Sequence, residues 1–304
     1  MDRVGFVGLG RMGRPMASNL VRKGFALAIY DINPAPVRAL AKLGAQAANG
    51  VPGVVAGSDV VVTMLPSGVE VEDTLAGPAG VFAHASQGQL VMDMSTIEPQ
   101  TTDRLAAEAA RRGLGFVDAP VGRLASHADR GESLFMVGAS EADFRRVLPL
   151  LQAMGTTIHR CGPVGSGIRT KLVNNFLSIA SCQLNAEALA LSQRFGLDLE
   201  KTLEVIHGTT ATNGQLKMNW PGKVLADDVT PGFTIDLAHK DLSLIIAAAQ
   251  AERVALPMAS TARDAFTLAR QAGHGGKDFS AIVDWFCGLA GAKVPRLSRA
   301  RDKR

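Results

Sequence analysis

Val4-Gly5-Phe6-Val7-Gly8-Leu9-Gly10-Arg11-Met12-Gly13 is the stretch on which the reading of the fold turns. A short apolar run, rich in strand formers, enters a turn with glycines at 8, 10 and 13, and Pro15–Lys23 continues at helical spacing. The first glycine permits a tight turn, the second lets a pyrophosphate approach the backbone, and the third lets the helix pack on the strand. The helix N-terminus offers its N–H groups to phosphate. Gly8, Gly10, Arg11, Met12 and Gly13 are therefore candidate cofactor contacts. Asp31, eighteen residues after Gly13, ends a second strand, Ala26–Tyr30, and is the expected acceptor for the adenosine ribose hydroxyls. A carboxylate there repels a 2′-phosphate, and Ile32-Asn33-Pro34 places no arginine beside it. NAD is expected in preference to NADP. The plain alternative is a glycine-rich turn with no ligand.

Working outward, Asp59–Met64, Leu90–Met94 and Phe116–Ala119 read as further strands, separated by amphipathic stretches. Strands alternating with helices predict a doubly wound parallel sheet. Ligands bind at the carboxyl ends of such strands, which makes Leu65, Pro66 and Thr96 candidate cofactor contacts. Helix caps are expected at Asn33, and at Thr96 ahead of a Glu98–Arg112 helix. The alternation stops after Cys161-Gly162-Pro163. Ile168–Phe195 then keeps helical spacing for nearly thirty residues, and Leu199–His207, Leu237–Glu252, Thr261–Gln271 and Ser280–Leu289 follow as helices. The predicted class is α/β plus all-α: a Rossmann-type domain over 1–162, a helical substrate and oligomerisation domain over 163–295, and a basic, flexible tail over 296–304.

The 304 residues, 47% hydrophobic and 20% charged, suit a globular protein with a sizeable core. No apolar run reaches the ~18 residues of a spanning helix. The start carries no basic region or cleavage site of a secretion signal, so cytoplasmic residence is expected and no membrane partner. Arg296, Arg299, Arg301, Lys303 and Arg304 face only Asp302 in the tail, an excess equal to the whole chain's +4. The body is close to neutral, and with one Tyr and two Trp there is no stacking surface for nucleic acid. Three separated cysteines and histidines without ligand spacing argue against disulfides and metal.

Lys171, Asn174, Asn175 and Ser178 fall at i, i+3, i+4 and i+7 of the long helix, so one face carries an amine, two amides and a hydroxyl. Such a stripe can be a solvated edge. Behind a nucleotide domain it also suits carbonyl reduction. A hydride reaching a carbonyl carbon leaves charge on the oxygen, which an ammonium can stabilise and protonate. Lys171 is thus the candidate acid, with Asn175 holding lysine and carbonyl in register. Gly162 to Lys171 lacks the GxxxxGK[ST] spacing of a phosphate loop. Earlier, Asp118-Ala119-Pro120-Val121-Gly122-Arg123-Leu124 puts a guanidinium fork, suited to oxyanions, beside this chemistry. Arg123 either anchors an anionic substrate, with Gly122 making room, or points outward to pair with Asp129 or Glu132.

These segments together resemble the β-hydroxyacid dehydrogenase family, which includes 3-hydroxyisobutyrate dehydrogenase and tartronate semialdehyde reductase. The likeness runs from GLGRMGRPMA through DMST (93–96), DAPV (118–121) and GxGxxxKLxNN (165–175) to Phe233–Leu242. It implies an NAD-dependent CH–OH oxidoreductase with Lys171 as acid/base and Lys240 near both nicotinamide and substrate. Asn174, Asn175 and Ser178 would line the substrate site, and a homodimer or homotetramer would be usual. The family commonly reads Ser-Gly-Gly where this chain has Gly122-Arg123-Leu124. Gly-Arg, with Lys-Leu-Val-Asn-Asn-Phe-Leu-Ser and Trp220-Pro221, resembles the 3-sulfolactaldehyde reductase branch, in which Thr-Ser commonly follows the arginine; here Leu124-Ala125 does. That branch implies NADH-dependent reduction of a small anionic aldehyde, 3-sulfolactaldehyde, to 2,3-dihydroxypropane-1-sulfonate in sulfoquinovose breakdown. The alternatives are 3-hydroxyisobutyrate, tartronate semialdehyde or succinic semialdehyde as substrate. The loop 209–223 is expected to close over a substrate site, its own or a neighbour's.

Overall fold

The computed structural model describes residues 2–298. The strands are β1 (Val4–Val7), β2 (Leu27–Tyr30), β3 (Gln46–Ala47), β4 (Val60–Thr63), β5 (Leu90–Asp93), β6 (Gly115–Asp118), β7 (Val121–Gly122), β8 (Ser133–Gly138) and β9 (Gly155–Gly162). Among them lie α1 (Gly13–Arg22), α2 (Pro34–Ala41), α3 (Gly50–Ala56), α4 (Gly68–Ala76), α5 (Val81–His84), α6 (Pro99–Arg111), α7 (Ala125–Asp129) and α8 (Glu141–Met154). Among the described residues, β9 is followed by helices: α9 (Ser166–Arg194), α10 (Leu199–His207), α11 (Ile235–Ala251), α12 (Pro257–Gln271) and α13 (Ile282–Leu289), with short π and 3-10 turns at 215–226 and 279–281.

The sheet runs β3-β2-β1-β4-β5-β6-β8-β7, with β9 on β8. From β3 to β6 every pairing is parallel, as a doubly wound sheet requires. Period-two alternation splits the strand side chains between two cores. Phe6, Val62, Leu90 and Met92 join Met16, Leu20 and Leu151 on one face, while Val7, Val61 and Val91 join Val54, Leu75 and Leu105 on the other. The structure adds what the alternation did not predict: β8 pairs antiparallel with β6 and β7, and β9 parallel with β8. Register sets Thr63 opposite Asp93 and Asp93 opposite Asp118, so the carboxyl ends of β4, β5 and β6 are level.

The chain divides into two compact units, Met1–Lys171 and Leu172–Arg304. The division falls inside α9, because its first turns are hydrogen-bonded to the end of β6. The second unit has a core of its own around Trp220, Leu242, Ile245 and Phe266. Two sequence expectations change. The cap of α6 is not Thr96: Glu98 is the extended N-cap residue and Pro99 the first helical one, since proline suits N1 and biases its predecessor away from helix. The expected tail is anchored at its start, with Arg296 bonded to Asp227 (2.9 Å) and Asp284 (2.9 and 2.8 Å) and the Leu297 N–H donating to Leu225 O (2.9 Å). Residues 299–304 lie outside the described residues. No helix among the described residues is long and apolar enough to cross a membrane.

Candidate active site

In the first unit the glycine turn sits at the carboxyl end of β1, where the strand order reverses. Gly8 has φ +94°, and a Cβ on Gly13 would lie 1.9 Å from the Gly8 carbonyl oxygen. At Gly10 a Cβ would meet nothing within 4 Å, which leaves that backbone open to a ligand. Helix α1 has no side-chain cap at Met12; an anion is the natural partner of such an end. Asp31 accepts from the Leu9 N–H (2.5 Å) and the Asn33 N–H (2.7 Å), fixing the end of β2 to the turn. A carboxylate has about four lone-pair sites, so two remain for hydroxyls. Leu9, Gly10, Arg11, Arg14 and Asn33 line a cleft of about 360 Å³ here.

At the neighbouring strand ends, Asp93 accepts from Thr63 Oγ1 (2.8 Å) and Ser95 Oγ (2.6 Å), and Ser95 Oγ accepts from the Leu65 N–H (2.9 Å). This relay sets the loops that carry Leu65, Pro66 and Thr96. The residues present fit a dinucleotide: an open glycine turn, an uncapped helix end and a carboxylate at the end of β2.

Lys171 is 9% exposed, and its Nζ donates to Val121 O at 2.7 Å, beside buried Gly122. The geometry comes from Asp118, three residues earlier. Its carboxylate accepts from the Gly165 N–H (2.6 Å) and the Ile168 N–H (2.7 Å), and a Cβ on Gly167 would lie 2.3 Å from Met136 O. The segment 118–121 thus grips α9 twice, first at its start and then through the lysine. Burial pushes the Asp118 carboxyl up to about 7 despite the two amides, and Asp93 opposite adds to it. Burial also raises Asp93.

Between about pH 4 and 7 the folded chain therefore holds a proton on Asp118 that the unfolded chain has released. Stability falls as pH rises through that window. Asp118→Asn is expected to reduce the drop in Tm between about pH 5 and pH 8; an unchanged drop would count against this assignment.

Arg123 also has positive φ, +70°. Its exposed guanidinium lies along β9, donating to Glu132 O (2.6 Å), Thr156 Oγ1 (3.2 Å) and Thr157 Oγ1 (3.0 Å). The contact with Glu132 is to its carbonyl; the carboxylate pairs with Arg130 at 2.8 Å. Of five guanidinium N–H groups, these bonds leave two.

In the second unit, buried Asn175 donates through Nδ2 to Asp241 Oδ2 (2.6 Å) and accepts from Asn174 Nδ2 (3.2 Å). Lys240 Nζ lies 3.1 Å from Asp241 Oδ1. Asn175 and Lys240 thus meet at one carboxylate that is 2% exposed, with Asn174 bonded to Asn175. Ser178 lies one turn further along α9 and meets Gln215. Nothing in the sequence alone gives Asp118, Asp241 or Gln215 a role. The signals were the acid opening DAPV, the acid adjoining Lys240, and a glutamine within the loop 209–223.

Residues 3–162 match the family model described as the NAD-binding domain of 6-phosphogluconate dehydrogenase. Residues 165–286 match that described as NAD-binding of NADP-dependent 3-hydroxyisobutyrate dehydrogenase. The chain is 40% identical to 3-sulfolactaldehyde reductase of Escherichia coli K12, over 93% of this chain and 95% of the relative. It is 37% identical to 3-hydroxyisobutyrate dehydrogenase of Pseudomonas aeruginosa, over 95% and 99%. A solved structure of Mycobacterium tuberculosis 3-hydroxyisobutyrate dehydrogenase with L-serine superposes with a TM-score of 0.87 at 33% identity, covering 94% and 99%. Fold and site define a nicotinamide-dependent oxidoreductase acting on CH–OH groups. The chain belongs to the β-hydroxyacid dehydrogenase family.

Proposed function

We propose that the chain reduces 3-sulfolactaldehyde to 2,3-dihydroxypropane-1-sulfonate, with NADH preferred to NADPH. The observation that carries the substrate is Arg123, directly after buried Gly122 and two residues from the carbonyl that holds Lys171. A sulfonate spreads its charge over three tetrahedral oxygens, and a guanidinium can meet two of them in parallel. The relative that is 40% identical and named for this aldehyde supports the same reading. The carboxylate of Asp31 supports NADH.

Gly8, Gly10, Arg11, Met12, Gly13, Asp31, Leu65, Pro66 and Thr96 hold the dinucleotide, and Lys240 meets nicotinamide and substrate. The bound nicotinamide supplies the hydride. Lys171 Nζ gives its proton to the oxygen of the carbonyl, and Asn175 orients that oxygen. Asn174, Ser178 and Arg123 bind the rest of the substrate. Leu177, Leu184 and Leu191 on α9 and Phe195 just after it, each more than half exposed, support a homodimer or homotetramer; a chain that sediments as a monomer overturns that part.

Steady-state kinetics with NADH and NADPH on sulfolactaldehyde and on methylmalonate, tartronate and succinic semialdehydes decide the substrate. Each charge-assisted hydrogen bond is worth roughly 1.5–3 kcal/mol, so Arg123→Gly should raise KM for the sulfonate about tenfold or more. Equal kcat/KM on all four aldehydes, or an unchanged KM in the variant, would sink the assignment.

A further inference from the structure

We propose that Gln215 is a positioning residue that turns the Ser178 hydroxyl into a dedicated hydrogen-bond donor for the anionic end of the substrate. This rests on the reading of Ser178 as a substrate contact. Gln215 is 8% exposed and opens the π-helical turn Gln215–Asn219. Its Nε2 lies 3.2 Å from the Ser178 carbonyl oxygen and 2.8 Å from Ser178 Oγ. A backbone carbonyl can only accept, so the group facing it is the NH2 and not the amide oxygen. On the other side Oε1 accepts from Asn219 Nδ2 at 2.9 Å. A flipped amide would set its oxygen against the Ser178 carbonyl oxygen, so that carbonyl fixes the orientation and leaves Oε1 to accept from Asn219.

Both Nε2 hydrogens then point at Ser178, and one of them occupies a lone pair on Oγ. The hydroxyl's own hydrogen must go elsewhere. A helical serine or threonine commonly donates it to the carbonyl four residues back. Thr170 does so to Ser166 O at 2.8 Å, and Ser181 to Leu177 O. Ser178 makes no such bond among the described residues. Its O–H is therefore available to an outside acceptor, and Gln215 withholds the competing role of accepting from it.

The glutamine cannot drift from this position. Asn213 Oδ1 accepts from the Gln215 N–H (3.1 Å) and the Leu216 N–H (3.2 Å). Asn213 also forms a reciprocal amide pair with Asn185, at 2.8 and 3.1 Å. Asn185 lies seven residues beyond Ser178 on α9, so helix and turn are held in one register. Hydrogen bonds to charged acceptors are roughly twice as strong as those between neutral groups. An O–H so directed favours an anion over a neutral hydroxyl at the same place.

The test compares KM for sulfolactaldehyde with KM for glyceraldehyde, its neutral counterpart, in the wild type, Gln215→Met, Gln215→Glu, Ser178→Ala and the Ser178→Ala/Gln215→Met double variant. Methionine keeps volume in the buried turn, and circular dichroism confirms folding. Gln215→Met should raise the anion-to-neutral KM ratio about three- to tenfold. Gln215→Glu should raise it further, because a carboxylate captures the hydroxyl hydrogen and repels the anion. In the Ser178→Ala background the methionine should add nothing. If Gln215→Met shifts both aldehydes equally, or acts undiminished without the hydroxyl, the proposal fails while Ser178 keeps its role. If Ser178→Ala leaves the ratio unchanged, the reading of Ser178 fails first and the proposal goes with it.

Discussion

Replacing Lys171 by methionine should lower kcat by about two to four orders of magnitude, the usual worth of a positioned general acid, while leaving the dissociation constant for NADH close to wild type. Lys171 is 9% exposed and donates 2.7 Å to Val121 O, so the ammonium is already aimed by the chain before any substrate arrives. Methionine keeps an unbranched side chain of similar length and removes the proton. The Val121 carbonyl then loses its donor, at a stability cost of about 1–3 kcal/mol, which thermal unfolding will register. The separation of effects is the test. Loss of turnover with retained NADH binding, read by fluorescence titration, fits an acid that works on the carbonyl. A kcat within about tenfold of wild type would leave the chemistry without its proton donor and overturn the mechanism.

Gly13→Ala should be equally damaging, and for a different reason. The new Cβ would lie 1.9 Å from the Gly8 carbonyl oxygen and 3.2 Å from the Phe6 ring. One neighbour is backbone in a turn, so α1 must move off β1. Overpacking of this kind costs typically about 1–3 kcal/mol, or several degrees of Tm for a domain of this size. Displaced amides at the start of α1 should also cost NADH binding about a hundredfold. Gly10→Ala is the control: its Cβ meets nothing within 4 Å, so Tm should hold while NADH affinity falls as the methyl blocks the pyrophosphate. If Gly10→Ala leaves affinity intact, the phosphates do not lie over that residue.

The parts of the fold legible in the sequence are those whose side chains report a local environment. Val60–Thr63 and Leu90–Asp93 are buried throughout and read as short apolar runs, each closed by a polar residue, Thr63 and Asp93. Asn33 is a cap in the structure as in the sequence, accepting from the Ala35 N–H at 3.0 Å. Much of what escaped lacks such a signal, although β8, a mostly buried apolar run, carries one. β3 is two exposed residues, β9 is a largely polar strand with one fully buried position, and α8 carries Pro149 inside it. Among site residues, Lys171, Asn174, Asn175 and Ser178 stand out because one helix spaces them. Asp118 acts through amides 47 and 50 residues away, Asp241 through an amide 66 away, and Gln215 through a serine 37 away. No periodicity records partners at that distance; only the folded chain brings them together.

Arg123 combines a left-handed backbone with three exposed hydrogen bonds. A non-glycine residue at such a φ pays on the order of 1 kcal/mol, and exposed polar contacts return a similar amount. Folding is thus nearly indifferent to whether arginine or glycine occupies the position. If Arg123 anchors the substrate as proposed, its identity is left to the ligand, and a designer can exchange one acid group for another at this residue without first shoring up the scaffold.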